Sequence, residues 1–208
     1  EKYIPFIIDL PGPRIQKEVG HTYDHTLVSA ITEHDKEFIK YGVENGVDYF
    51  AVAFVGSDLD IFECRKVINE LGGKQKIIAK IERKIALDNL EQIVMAADAV
   101  MVARGDLGNE IPLEQIPFVQ ENIIKIAKKL NKPVIVATQM LFSMIEHDEP
   151  TRAEVTDVDT AILQGADAVM LSDETTIGKY PIQAVGVMDR IITEAKKHMP
   201  EDAKLNLL

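Results

Sequence analysis

The sequence predicts an α/β fold built of repeated βα units with parallel, doubly covered strands, in either an α/β barrel or a doubly wound sheet. Three observations predict it. Strand-like and amphipathic helical runs alternate along the 208-residue chain. The strand-like runs are mostly continuously apolar, as expected of strands buried on both faces. Residues able to do chemistry, Asp9, Glu82, Asp106, Thr138 and Ser172, fall at the C-terminal ends of those runs, where both architectures bind ligands.

Taken in order, Tyr3–Asp9 reads as the first strand. His34–Asn45 follows as a helix, with Phe38, Ile39 and Val43 at helical spacing and Gly46 as its stop. Asp48–Phe54 is the next strand and Leu59–Leu71 the next helix, ended by Gly72-Gly73. Lys76–Glu82 and Leu87–Met95 form a third pair, and Ala99–Ala103 with Leu113–Leu130 a fourth. In that last helix Ile116, Val119, Ile123 and Ile126 make one stripe, and Lys125, Lys128, Lys129 and Lys132 sit near its negative end. Pro133–Thr138 is followed by the helix Thr151–Leu163, which opens with Thr151-Arg152-Ala153-Glu154, a capping pattern. Ala168–Ser172 and Ile182–Met199 close the series. Gly46-Val47-Asp48, Ala97-Asp98-Ala99 and Gly165-Ala166-Asp167 form a weak internal repeat at helix-to-strand junctions. Neither G-x-G-x-x-G nor a P-loop is present, and a doubly wound nucleotide fold usually shows one.

Composition narrows the function. The net charge of −11 argues against nucleic-acid and anionic-membrane partners. A single cysteine, Cys64, excludes an intrachain disulfide and fits a cytoplasmic location. It lies in a helical pattern with no activating partner, so a structural role is expected. No apolar run is long enough to span a bilayer, and no signal-peptide pattern opens the chain. Met95, Met101, Met140, Met144 and Met170 read as core filler. His147 reads as solvated, and His21 and His25 flank Tyr23 in a polar stretch without metal-ligand spacing.

Lys80-Ile81-Glu82 and Ala103-Arg104-Gly105-Asp106-Leu107-Gly108 carry the strongest chemical signal. Side chains alternate along a strand, so Lys80 and Glu82 share a side. With Asp106 beside Glu82, two carboxylates leave open positions that suit Mg²⁺. An adjacent ammonium suits a phosphoryl or enolate oxygen. The bland reading is an ion-pair arrangement of Glu82 and Asp106 with Lys80 and Arg104. Thr138 has a bland reading too, as the cap of a helix starting at Gln139.

These strand ends resemble the pyruvate kinase family. Ile78-Ala79-Lys80-Ile81-Glu82, Met101 to Gly108, Val136-Ala137-Thr138-Gln139-Met140-Leu141, Pro150-Thr151-Arg152-Ala153-Glu154 and Val169-Met170-Leu171-Ser172-Asp173-Glu174-Thr175 match its signatures in order. Asp9-Leu10-Pro11-Gly12-Pro13 and Thr32-Glu33-His34-Asp35-Lys36 match the chain's exit to and return from that family's lid domain. The resemblance implies a (β/α)8 TIM-type barrel of which this chain holds six of eight βα units. It also implies glycolytic phosphoryl transfer from phosphoenolpyruvate to ADP, giving pyruvate and ATP. Glu82 and Asp106 are then ligands of Mg²⁺ or Mn²⁺, and Lys80 stabilises the transferring phosphoryl group. Thr138 lies near the carbon that is protonated, and Gly105, Asp106 and Thr138 hold the substrate carboxylate. Asp9 matches a K⁺ ligand. The family commonly forms homo-oligomers.

The departures cluster. Two strands that precede Tyr3–Asp9 in the family are absent, and residues 16–31 form a short bridge in place of the lid domain. The family's C-terminal domain has no counterpart. Gln16, Ala53, Gly56, Ile85 and Asp173 replace usual arginine, serine, arginine, polar and glycine residues. The metal and carboxylate half is thus kept, and the departures fall on the ADP and K⁺ half. A barrel short of two strands keeps open edges, so the expectation is that the chain belongs to a longer protein, or is a minimal barrel. Two other functions fit the retained half: a Mg²⁺-dependent enolate-type aldolase or decarboxylase on pyruvate-like substrates, and a non-catalytic remnant.

Overall fold

In the computed structural model, which describes residues 3–16, 21–23 and 29–199, six strands lie side by side. Their order is β1 (Ile7–Leu10), β4 (Tyr49–Val52), β5 (Lys76–Ile81), β6 (Ala99–Ala103), β7 (Val134–Ala137) and β8 (Ala168–Met170). Spatial order follows chain order, without the reversal that a doubly wound sheet makes at its switch point. The registers of β1 with β4, β4 with β5 and β7 with β8 are parallel. Such a succession is that of a (β/α)8-type barrel, which decides between the two architectures open at the level of pattern.

The chain divides into two compact units, Glu1–Met101 with Asp106–Pro112, and Val102–Gly105 with Leu113–Leu208. In the first, α1 (Glu33–Glu44) and α2 (Asp58–Glu70) follow β1 and β4. Gly42 lets α1 approach the sheet, since a Cβ there would lie 2.6 Å from the Phe50 ring. Thr32 and Asp35 cap α1 reciprocally, and the buried Asp35 also accepts the Gly12 N–H at 3.0 Å. The first strand is shorter than its pattern suggests: Tyr3, Ile4 and Phe6 lie ahead of β1 and are exposed. The expected helix Leu87–Met95 is two helices, α3 (Lys84–Asp88) and α4 (Leu90–Ala96). They break at Asn89, whose side chain donates to the Gly56 carbonyl at 2.9 Å. Met95 is 54% exposed on α4, so it is not core filler, unlike Met101, Met140 and Met144. The bridge contains an antiparallel ladder, β2 (Arg14–Gln16) with β3 (His21–Tyr23), rather than only polar loop; His25 lies outside the described residues.

In the second unit α6 (Ile116–Lys129), α7 (Arg152–Leu163), α8 (Asp173–Thr176) and α9 (Pro181–Lys197) follow in turn. Leu113–Gln115 is a single 3₁₀ turn rather than the start of α6. The buried stripe of α6 is Gln120, Ile123, Ile124 and Ala127, rotated from the predicted one. The rotation follows from the buried amide of Gln120, which donates to Gln164 at 2.9 Å and so occupies a core position no hydrophobicity pattern marks. Thr151 and Glu154 form the predicted capping box on α7, and Glu154 also takes both the N–H and the hydroxyl of Ser143.

The internal repeat has one physical meaning. Asp48, Asp98 and Asp167 each accept a backbone N–H just before or within the neighbouring strand, from Phe6 at 2.7 Å, Ile77 at 2.8 Å and Val134 at 2.9 Å. Their own N–H groups return the bond to the same three carbonyls. A donor clamps each acid: the Tyr3 hydroxyl on Asp48, Arg65 on Asp98 and Lys128 on Asp167. These stitches sit at strand N-terminal ends, the face of a barrel that carries stability. Cys64 is buried in α2, and burial pushes its thiol up to about 12, so it is inert. Among the described residues, no helix is long and apolar enough to cross a membrane.

Candidate active site

In the first unit, the ends of β1, β4 and β5 bring Asp9, Phe54, Lys80 and Glu82 together. Strand alternation places Lys80 and Glu82 on one side, and Nζ of Lys80 lies 3.0 Å from Oε1 of Glu82. The same ammonium lies 2.9 Å from Asp9, the end residue but one of β1. The second oxygen of Glu82 accepts the Phe54 N–H at 2.7 Å. Glu82 is 1% exposed and Lys80 11%, so both are held in a medium where charge is costly. Asp9 is 55% exposed and has Arg14 at 4.0 Å as a second cation.

Burial pushes the Glu82 carboxyl up, and the Asp106 carboxylate pushes the same way; Lys80 and the Phe54 N–H only partly offset them. Burial pulls the Lys80 ammonium down, but the charges of Glu82 and Asp9 outweigh it and the net shift is upward. Asp106 stands on α5 (Arg104–Glu110), close enough for its charge to be felt at Glu82. A hard carboxylate whose proton affinity is raised by a second one is a donor that a dication relieves. Among the described residues, no three His, Cys, Asp or Glu side chains gather to hold a metal on their own. Glu82 and Asp106 would offer an ion two carboxylate oxygen donors, the hard type that Mg²⁺ takes alongside waters and substrate oxygens.

In the second unit, Thr138 follows β7 at φ +72 and Gln139 at φ +54. This left-handed pair cannot start a helix, so Thr138 caps none; the next regular turn is the 3₁₀ segment Phe142–Ile145. Its hydroxyl instead accepts the Gly105 N–H at 2.8 Å. That amide is engaged by the threonine rather than standing across from it. Arg104 fixes the Thr138 segment, donating to the Thr138 carbonyl at 2.8 Å, and pairs with Asp157 at 2.7 Å. Ser172 follows β8, and its N–H donates to the buried Glu174 at 2.8 Å; the other oxygen of Glu174 takes the Leu141 N–H at 3.0 Å.

A family model described as pyruvate kinase, barrel domain, matches residues 14–185. The chain belongs to the pyruvate kinase family. The pyruvate kinase of Thermotoga maritima is 49% identical over 172 residues, 83% of this chain and 37% of that enzyme. That of Mycobacterium intracellulare is 54% identical over 163 residues, covering 78% and 34% respectively. That of Methylorubrum extorquens is 47% identical over 188 residues, covering 89% and 39%. The chain thus spans little more than a third of these pyruvate kinases. Lys80, Glu82, Gly105, Asp106 and Thr138 lie inside the family-matched segment, and Asp9 lies ahead of it.

Sequence reasoning passed over Arg83 and the Phe54 backbone, and read Arg104 only as an ion-pair partner. A basic residue directly after an apolar strand, as at Arg83 and Arg104, is the available signal. The strained backbone at Phe54 and Thr138 leaves none, because both are ordinary residue types.

Proposed function

We propose that this chain carries the dication-binding and phosphoryl-stabilising part of a pyruvate kinase, serving transfer of phosphate from phosphoenolpyruvate to ADP. The observation that carries the reading is the buried Lys80–Glu82 pair with the Asp106 charge beside it. Glu82 and Asp106 hold Mg²⁺ or Mn²⁺, which, when bound, neutralises charge on the transferred group. Lys80 presents its ammonium to a phosphoryl oxygen, and its raised proton affinity keeps it charged at neutral pH. Thr138 is given the proton delivery that forms pyruvate, and Gly105, Asp106 and Thr138 the substrate carboxylate. Asp9 is assigned K⁺, supported by its exposed carboxylate.

Calorimetric titration of a phosphoenolpyruvate analogue with and without Mg²⁺ tests this. Binding that depends on Mg²⁺ and is lost in Glu82→Gln and Asp106→Asn is the expected result. Equal affinity in the unaltered chain and both variants overturns it. A lactate-dehydrogenase-coupled assay with ADP, on this chain and on a longer protein containing it, then reads turnover.

A further inference from the structure

Phe54 follows β4 in a turn at φ +55, a conformation bulky side chains rarely adopt. Its amide points at Glu82, so the turn sets the direction of that hydrogen bond. Several contacts converge on this residue. The rings of Phe54 and Tyr23 are 5.6 Å apart at 56° and share a buried cluster with Ala53. The Arg83 guanidinium lies over the Tyr23 ring, its Cζ 3.7 Å from the centroid, and donates to the Phe54 carbonyl at 3.4 Å. Arg14 stands 5.9 Å from the Phe54 centroid.

The bond to the Phe54 carbonyl is long, and Nε of Arg83 is buried with no hydrogen-bond partner among the described residues. Stacking on Tyr23 is therefore what fixes the guanidinium. Gly56 leaves it room: a Cβ there would lie 3.0 Å from Nη1 of Arg83. Tyr23 in turn is held by the β2–β3 ladder, paired in register with Arg14. The sequence of supports runs from the ladder to Tyr23, to Arg83, to the Phe54 backbone, to Glu82.

We propose that the β2–β3 ladder braces the metal-binding carboxylate, with Tyr23 and Arg83 as positioning residues that keep the Phe54 amide on Glu82. The brace rests on the reading of Glu82 as a dication ligand. It fixes one carboxylate oxygen while Lys80 fixes the other, so the carboxylate is preorganised for the ion. Loss of such an outer contact typically weakens metal binding about tenfold or more.

The test measures Mn²⁺ affinity and hydrogen exchange of the Phe54 amide on the whole chain. Tyr23→Ala and Arg83→Met should each weaken Mn²⁺ about tenfold and speed Phe54 exchange. Tyr23→Phe, which keeps the ring, should restore both. Asp98→Ala serves as a control that destabilises the same unit at the opposite strand ends; it should leave Phe54 exchange and Mn²⁺ affinity close to those of the unaltered chain. Unchanged affinity and exchange in Tyr23→Ala and Arg83→Met overturn the brace. So does an equal loss in Asp98→Ala, which would reduce the effect to general destabilisation. If the unaltered chain takes up no Mn²⁺, the ligand reading of Glu82 falls, and Phe54 exchange alone decides the brace.

Discussion

Arg104 donates to the carbonyl oxygen of Thr138 at 2.8 Å, and the same guanidinium holds Asp157 at 2.7 Å. The contact has a cause in backbone strain. A β-branched residue at φ +72 costs about 1–3 kcal/mol and persists only where its surroundings over-determine it. Arg104 on the carbonyl and the Gly105 amide on the hydroxyl supply that. Arg104→Met should lower stability by about 2–3 kcal/mol, since it strands both the carbonyl and the Asp157 carboxylate. Arg104→Lys should recover only part, because a single ammonium point lacks the planar, preset fork by which two guanidinium nitrogens reach separate acceptors. In a Thr138→Gly background the Arg104→Met cost should shrink, as glycine accepts the left-handed turn unaided. Urea unfolding of the four variants measures the coupling.

The stitches at the strand N-terminal ends should rank by burial. Asp167 is fully buried at 0% side-chain exposure beside Lys128, whereas Asp98 is 33% exposed beside Arg65. Asp167→Ala removes a fully buried carboxylate that the Lys128 ammonium and the Val134 N–H both share, at about 3 kcal/mol. Asp98→Ala should cost about 1 kcal/mol, because water reaches the groups it exposes. Chemical denaturation at a constant slope checks the order; equal costs would show that burial is not what sets it.

Much of this was legible in residue pattern, and what was not has identifiable causes. Continuous apolar runs mark strands covered on both faces, which is why Ala99–Ala103 agrees to the residue with β6. Strand alternation alone puts Lys80 beside Glu82. The repeat at Asp48, Asp98 and Asp167 is visible as spacing, but its meaning needs the neighbouring strand. The stripe of α6 is misread because Gln120 is buried through hydrogen bonds. The β2–β3 ladder is invisible because its strands are three residues each, too short for a period. The cap that sequence leaves open for Thr138 is excluded only by its positive φ, which leaves no mark in sequence.

Glu154 should give the acid limb of stability a local component. Burial pushes its carboxyl up, but hydrogen bonds from Ser143 and Thr151 outweigh that and hold it below its ordinary value of 4.5. Because the folded value is depressed, the contribution is fully present above 4.5 and is lost as pH falls through the folded value. Glu154→Gln removes this component, so its stability should fall less steeply in that acid window and the two curves should converge. Thermal melting across the window measures it; parallel curves would show that the cap carboxylate does not titrate with folding.

Lys80→Met isolates the charge at the centre of the site. Lys80 bridges Asp9 at 2.9 Å and Glu82 at 3.0 Å, and Glu82 is 1% exposed. Without the ammonium, Glu82 keeps the Phe54 amide but loses its counter-charge, at about 3–5 kcal/mol near neutral pH. Its carboxyl is already raised by burial and by Asp106, and losing Lys80 raises it further. For a raised carboxyl, stability is fully present below the unfolded value and lost as pH rises through the folded one. The deficit of Lys80→Met should therefore be smallest below 4.5, where the carboxyl is protonated in both states, and should grow as pH rises above it. Adding Glu82→Gln should remove most of the deficit and its pH dependence, because no buried charge is left unpaired. In a longer pyruvate kinase carrying this segment, Lys80→Met should slow turnover on the order of 10³-fold. A pH-independent deficit in unfolding would place the lysine's effect in packing rather than in charge.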